Sequence, residues 1–194
     1  MLASIHPLGE RARERRWGIT VGAYLVGSTL AAGLLGATLG GAGSLLPLTP
    51  GATAALVVAA GALALAADLG AFPLPTIHRQ VDKDWLDRYR GWVVGLGFGF
   101  QLGLGVVTIV NTAAVYLALT LALLTGSVAA GAVIGTTFGL VRALVILVVA
   151  PVRRPDQLRL ALRRMHGWRT LSQRAGIAVQ ALFLIAAGAV AIAH

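Results

Sequence analysis

Arg142 stands alone in an apolar run of the 194-residue chain. A guanidinium held in hydrocarbon either recognises an anion or pairs with a carboxylate. At the bilayer centre such a charge costs at least about 2.5–3.5 kcal/mol on insertion scales, so it is expected to face the bundle interior and find a partner. Arg142 lies nine residues before Pro151, about 13 Å along a helix. Depth along the helices nominates two neighbours: Gln101, about 15 Å in, and Asp68, roughly 5–8 Å in. Two readings follow. In one, Arg142 forms an anion or substrate site, or a gate. In the other, Asp68 and Arg142 form a buried ion pair, with Gln101 accepting from the guanidinium, and hold three helices in register as interhelical polar residues do. Thr108, Asn111 and Thr112 share a helix face by their spacing. Gly103 and Gly105 stand just before them. A broken helix whose free backbone lines a cavity and close packing through small residues both fit that pattern.

Other chemistries do not assemble. The chain has no cysteine, which excludes disulfides, thiolate metal sites and dithiol redox chemistry within it. His6, His78, His166 and His194 are scattered, without partners at metal-ligand spacing. No Gly-x-Ser-x-Gly motif, phosphate loop or dinucleotide fingerprint occurs. Asp82, Asp84 and Asp87 are interleaved with Arg79, Lys83 and Arg88, which makes a balanced, solvated loop rather than a cation site. No catalytic residue, metal or cofactor is expected, and the chain does not read as an enzyme.

The elements that position these residues follow from charge segregation. Fifteen of the sixteen Lys and Arg residues lie in three short segments, separated by nearly pure apolar sequence. The chain is 57% hydrophobic with mean hydropathy +0.82 and 12% charged residues, against about 25% charged in a soluble domain. An all-α integral membrane protein is expected, a bundle of five transmembrane helices. The predicted spans are about 17–46, 52–71, 92–124, 128–151 and 175–192, each sufficient for the roughly 20 apolar residues a crossing needs. Pro47–Gly51 and Thr125–Ser127 mark turns, and Pro151 ends the fourth span. Residues 1–16 form a basic segment before a single transmembrane domain, 17–192. Five crossings put the N-terminus, the 77–90 loop and the 152–174 segment on one side. The opposite side then receives no Lys or Arg, so the N-terminus is cytoplasmic and the C-terminus outside. Splitting 92–124 into two crossings breaks that rule. A multi-pass protein of the cell membrane is expected.

The basic segments flank apolar spans, unlike a nucleic-acid footprint on a polar domain. Their expected partner is a bilayer with anionic headgroups, and no nucleic acid. Residues Asp156 to Trp168 have the spacing of a short amphipathic helix, with Leu158, Leu162 and Met165 on one face; it either lies in the headgroup region or serves as a solvated connector. Trp17, Trp85, Trp92 and Trp168 fall near cytoplasmic boundaries and read as interfacial anchors. The first span is far longer than the core of a cleavable signal.

The order of features supports a resemblance. A glycine-rich long span, Gly95-Leu-Gly-Phe-Gly-Phe-Gln-Leu-Gly-Leu-Gly105, precedes a Gly-Ser turn, a further span, an Arg-Arg-Pro linker and a terminal span. This order resembles the second half of the DsbD/CcdA-type transmembrane reductant carriers, in the wider group of LysE-like exporters that includes those labelled TauE/SafE. The resemblance implies their scaffold. Their paired cysteines are missing, and Gly103–Thr108 reads Gly-Leu-Gly-Val-Val-Thr. The expectation is therefore transporter-like: a small solute or anion moving past Arg142, with Gln101, Thr108, Asn111 and Asp68 on or near the path. Five spans are few for such a path, and a homodimer would complete it. The alternative is a non-transporting scaffold or subunit of a membrane complex.

Overall fold

The computed structural model describes residues 7–75, 88–105, 110, 112–152 and 154–193. Among the described residues the structure is helical, without strands. A short α1 (Pro7–Ala12) precedes α2 (Trp17–Gly43) and α3 (Pro50–Asp68). Then follow α4 (Gly91–Gly103), α5 (Ala114–Leu124) and α6 (Val128–Leu144), the last continued by a 3-10 turn at Val145–Val149. Helices α7 (Pro155–Gly167) and α8 (Arg169–Ala193) complete the order. Four stretches are long and apolar enough to cross a membrane: Trp17–Gly43, Pro50–Asp68, Val128–Val149 and Thr170–Ile192.

Local chemistry explains the boundaries. Thr49 caps α3 by accepting from the Ala52 amide at 3.2 Å, and Pro50 takes the first helical position, where its fixed φ suits the helix and no amide is needed. The helix thus begins inside the turn expected at Pro47–Gly51. Gly126, at φ +57°, ends α5 in the left-handed conformation that glycine adopts without strain. Ser127 then caps α6 through the Ala130 amide at 3.4 Å. Glu10 of α1 is fully buried, and its carboxylate accepts from the Thr20 hydroxyl at 2.5 Å.

Helix α2 is the centre of the bundle, and glycines set its contacts. A methyl group on Gly95, Gly99 or Gly103 would run into the carbonyl oxygens of Thr20, Tyr24 and Ser28 in turn. The shared order shows that α4 runs parallel to α2. On α6, Gly131, Gly135 and Gly139 meet the carbonyls of Gly36, Ala32 and Ser28 in reverse order, so α6 runs antiparallel. Such backbone-to-backbone approach is how membrane helices gain packing energy without a hydrophobic drive between them. Ser28, fully buried at the crossing point, donates to the Gly139 carbonyl at 2.9 Å.

The segment expected as one span over 92–124 is two helices. At about 1.5 Å per residue, α4 and α5 are roughly 20 and 16 Å long, each short of a hydrocarbon core of about 30 Å. They follow one another along α2. Gly103, ending α4, sits at Ser28 in the middle of α2, and Leu123, in the last turn of α5, sits at Gly43 at the end of α2. The halves have separate cores. Val94 and Phe98 of α4 pack with Val21, Tyr24, Ala143 and Ile146. Leu117 of α5 packs with Ala64, Ala67 and Ala113. The last helix touches the bundle mainly through α3, where Phe183 and Leu184 lie against Gly61.

Candidate functional site

The interruption between α4 and α5 is where the polar groups collect. A helix end leaves carbonyls or amides without intrahelical partners, and a bilayer offers no water to satisfy them. Two charged side chains attend these two ends.

Gly105, at φ +72°, turns the chain off the end of α4, and its amide bonds back to the Leu102 carbonyl at 3.0 Å. The Gly105 carbonyl accepts from Arg142 Nη1 at 3.3 Å. The guanidinium also lies over the Phe138 ring, 5.7 Å from its centroid, within cation–π range. A cation therefore stands at a helix C-terminus, where the aligned peptide dipoles present about half a negative charge.

The other end has the opposite arrangement. Asp68, the last residue of α3, accepts from the Ala113 amide at 2.7 Å and from the Thr112 hydroxyl at 2.6 Å. The Thr112 hydroxyl in turn accepts from the Ala114 amide at 3.3 Å. Gln180 of α8, 4% exposed, donates its side-chain amide to Asp68 at 2.7 Å. A carboxylate thus caps the N-terminus of α5 from a neighbouring helix, and its charge matches the positive end of the dipole. Three donated hydrogen bonds offset the loss of water around it. Nearby, the Tyr116 hydroxyl donates to the Pro75 carbonyl. The side-chain carbonyl oxygen of Gln180 is buried without a partner among the described residues.

These contacts revise the expected three-helix constellation. Asp68 and Arg142 do not pair; the hydrogen bonds of Asp68 go to α5 and α8. Each charge answers a different helix end. Gln101 is half-buried on α4 and makes no hydrogen bond to Arg142 or Asp68 among the described residues. Thr108 and Asn111 lie outside the described residues, as do Asp82, Asp84 and Asp87. Thr112 and Gln180 enter the site as groups that hold Asp68. The signal for Gln180 was present in the sequence, since it is the one polar residue between Ala175 and Ile192. A cavity of about 10 Å³ borders the break, lined by Gly103, Ala118, Ala122, Ile134 and Phe138 among others. That is the size of a single water at most, and its lining is too apolar to hold one. Among the described residues no group of three or more His, Asp or Glu is placed to hold a metal ion.

The fold and the site define a class: an all-helical protein with membrane-length apolar helices and a discontinuous helix whose ends are capped by charged side chains of its neighbours. The chain is 32% identical over 187 residues to the methylamine utilization protein MauF of Methylophilus methylotrophus, covering 91% of this chain and 61% of that protein. It is 33% identical over 178 residues to MauF of Paracoccus denitrificans, covering 89% and 61%. It is 29% identical over 198 residues to MauF of Methylobacillus flagellatus, covering 98% and 67%. The chain spans about three fifths of the length of the first two relatives. No family model matches it, and no solved structure matches it significantly.

These likenesses correct two expectations. The relatives bear the name MauF, not that of a DsbD/CcdA reductant carrier or a LysE-like exporter. The resemblance rested on glycine spacing and hydropathy. The glycines at 95, 99 and 103 prove to be points of contact with the α2 backbone, a pattern that any tightly packed membrane bundle produces. The reading as a solute transporter falls with it, because the relatives are named for methylamine utilization.

Proposed function

We propose that the chain is a non-transporting subunit or scaffold of a membrane complex that serves methylamine utilization. The observation that carries this reading is the use of the two intramembrane charges. Arg142 and Asp68 are engaged by the ends of α4 and α5, and the cavity that adjoins them among the described residues, about 10 Å³, is too small for a solute. The names of the relatives supply the process. The reading assigns no catalytic step and no cofactor to the chain.

In the same reading the chain crosses the plasma membrane five times, with α4 and α5 together making the third crossing. The alternation of directions supports this: α4 runs with α2, α6 runs against it, and α8 runs against α3, since Gln180 meets Asp68 while Phe183 meets Gly61. Residues 1–16 and the 152–174 segment then face the cytoplasm and its anionic headgroups, and residues 17–192 form one transmembrane domain.

Two measurements test the role. Arg142→Gln should lower the yield and thermal stability of the purified chain, because it uncovers a helix end; a stable variant with an altered solute flux would contradict a scaffold. A methylotroph deprived of its own MauF protein should recover growth on methylamine when given this chain, whereas the Asp68→Asn variant should restore less. Growth independent of the chain would remove it from the process.

A further inference from the structure

A groove of about 460 Å³ lies between the end of α6 and the amphipathic helix α7. One wall is Val148, Pro151 and Val152; the other is Leu160 and Arg164, with Trp168 at the edge. It exists because α7 folds back on the bundle. Leu158 and Ala161 pack against the cluster containing Val149 and Val152, and this turns Leu160 and Arg164 toward the groove. They are four residues apart, on one face of α7, and Trp168 is four residues further. The side chains of Leu162 and Met165, expected on the buried face with Leu158, lie outside the described residues.

We infer that this groove binds one membrane phospholipid with an anionic headgroup, the phosphate at Arg164 and an acyl chain along Val148, Pro151 and Leu160. The inference rests on the membrane reading above. Three observations fix the occupant. First, the apolar wall is continuous with the exposed apolar side of the 3-10 turn, where Val145, Leu147 and Val148 are open to the surroundings. A chain leaving the groove therefore stays in hydrocarbon, whereas a soluble anion would leave that wall bare. Second, the 152–174 segment holds seven arginines against one acid, Asp156, so the local charge selects an anionic headgroup over a zwitterionic one. Third, Trp168 is 56% exposed at the groove edge, and indole rings favour the headgroup level of a bilayer. The volume lies within the range of small-ligand sites, about 300–1,000 Å³, enough for a headgroup and the first carbons of a chain.

The test uses the chain in phosphatidylcholine nanodiscs carrying a minority of lipid brominated near the headgroup, either phosphatidylglycerol or phosphatidylcholine. Quenching of Trp168 emission is taken as the difference between the chain and its Trp168→Phe variant. Brominated phosphatidylglycerol should quench at about fivefold lower mole fraction than brominated phosphatidylcholine, the effect of roughly one arginine–lipid contact. Arg164→Gln should bring the two lipids close to parity. Arg159→Gln, which removes an exposed charge from α7 outside the groove, should keep most of the preference. Equal quenching in the unaltered chain overturns the inference, and so do equal losses in Arg159→Gln and Arg164→Gln, which would show diffuse surface attraction. A chain that does not enter nanodiscs in a helical, monodisperse form overturns this inference together with the membrane reading beneath it.

Discussion

At the scale of single residues, the chain separates two opposite charges that would attract each other and gives each a helix end instead. Asp68 receives three hydrogen bonds, from Thr112, Ala113 and Gln180. Asp68→Asn keeps the shape but removes the charge and turns an amide toward donors. A loss of about 2–3 kcal/mol is expected, the range of hydrogen bonds to charged groups, measured by denaturant unfolding in detergent. In the double variant with Arg142→Gln the two losses should add to within about 0.5 kcal/mol, as they do for groups without shared contacts. A large coupling would reveal the direct pair that the geometry lacks. Arg142 and Asp68 were legible in the sequence because a charge in an apolar run is conspicuous. Their partners were not, because helical spacing gives depth without giving the direction a side chain faces in the bundle. Gln180 had the same visibility, yet its significance depends on α8 lying against α3, which no local pattern encodes.

At the scale of elements, small residues decide which helices touch. Gly99→Ala should destabilise the chain by about 1–3 kcal/mol, the cost of overpacking a tight contact, because its methyl meets the Tyr24 carbonyl. Gly22→Ala meets nothing within 4 Å and should be neutral or gain up to about 1 kcal/mol from helix propensity. Thermal unfolding of both variants in one detergent checks the contrast, and equal effects would refute the packing scheme. The long helices were legible from the charge pattern, and the ends of α3 and α6 from Thr49, Pro50, Gly126 and Ser127. The break after Gly103 was harder to see. The sequence stays largely apolar through the break, and a glycine run reads alike whether it permits close packing or ends a helix. In this segment Gly95 and Gly99 do the first, and Gly105 does the second. The same ambiguity produced the misleading likeness to reductant carriers.

At the scale of the whole molecule, sidedness is the property most open to measurement. The chain has no native cysteine, so each introduced thiol reports alone. Leu48→Cys and Thr125→Cys should react with an impermeant maleimide from outside intact cells, and Arg163→Cys only after permeabilisation. The reverse pattern would invert the proposed orientation, and labelling of Leu48 and Thr125 on opposite faces would break the count of five. The expected arrangement comes from charge segregation alone, and these labels test it. Function was not readable in that way, since the task of a scaffold, the role proposed here, depends on surfaces of other proteins that leave no signature in its own spacing.

The capped break also has a consequence in time. Translation delivers Asp68 before the α5 amides it receives, so α5 finds its cap waiting. Arg142 follows Gly105 by 37 residues, an interval of roughly 2–7 s at about 5–20 residues per second. Throughout that interval the end of α4 lacks Arg142, and its packing against α2, the glycine seam with Val94 and Phe98 on Val21 and Tyr24, has to hold it. The junction after α4 is therefore completed late, only once Arg142 of α6 has followed it out of the ribosome.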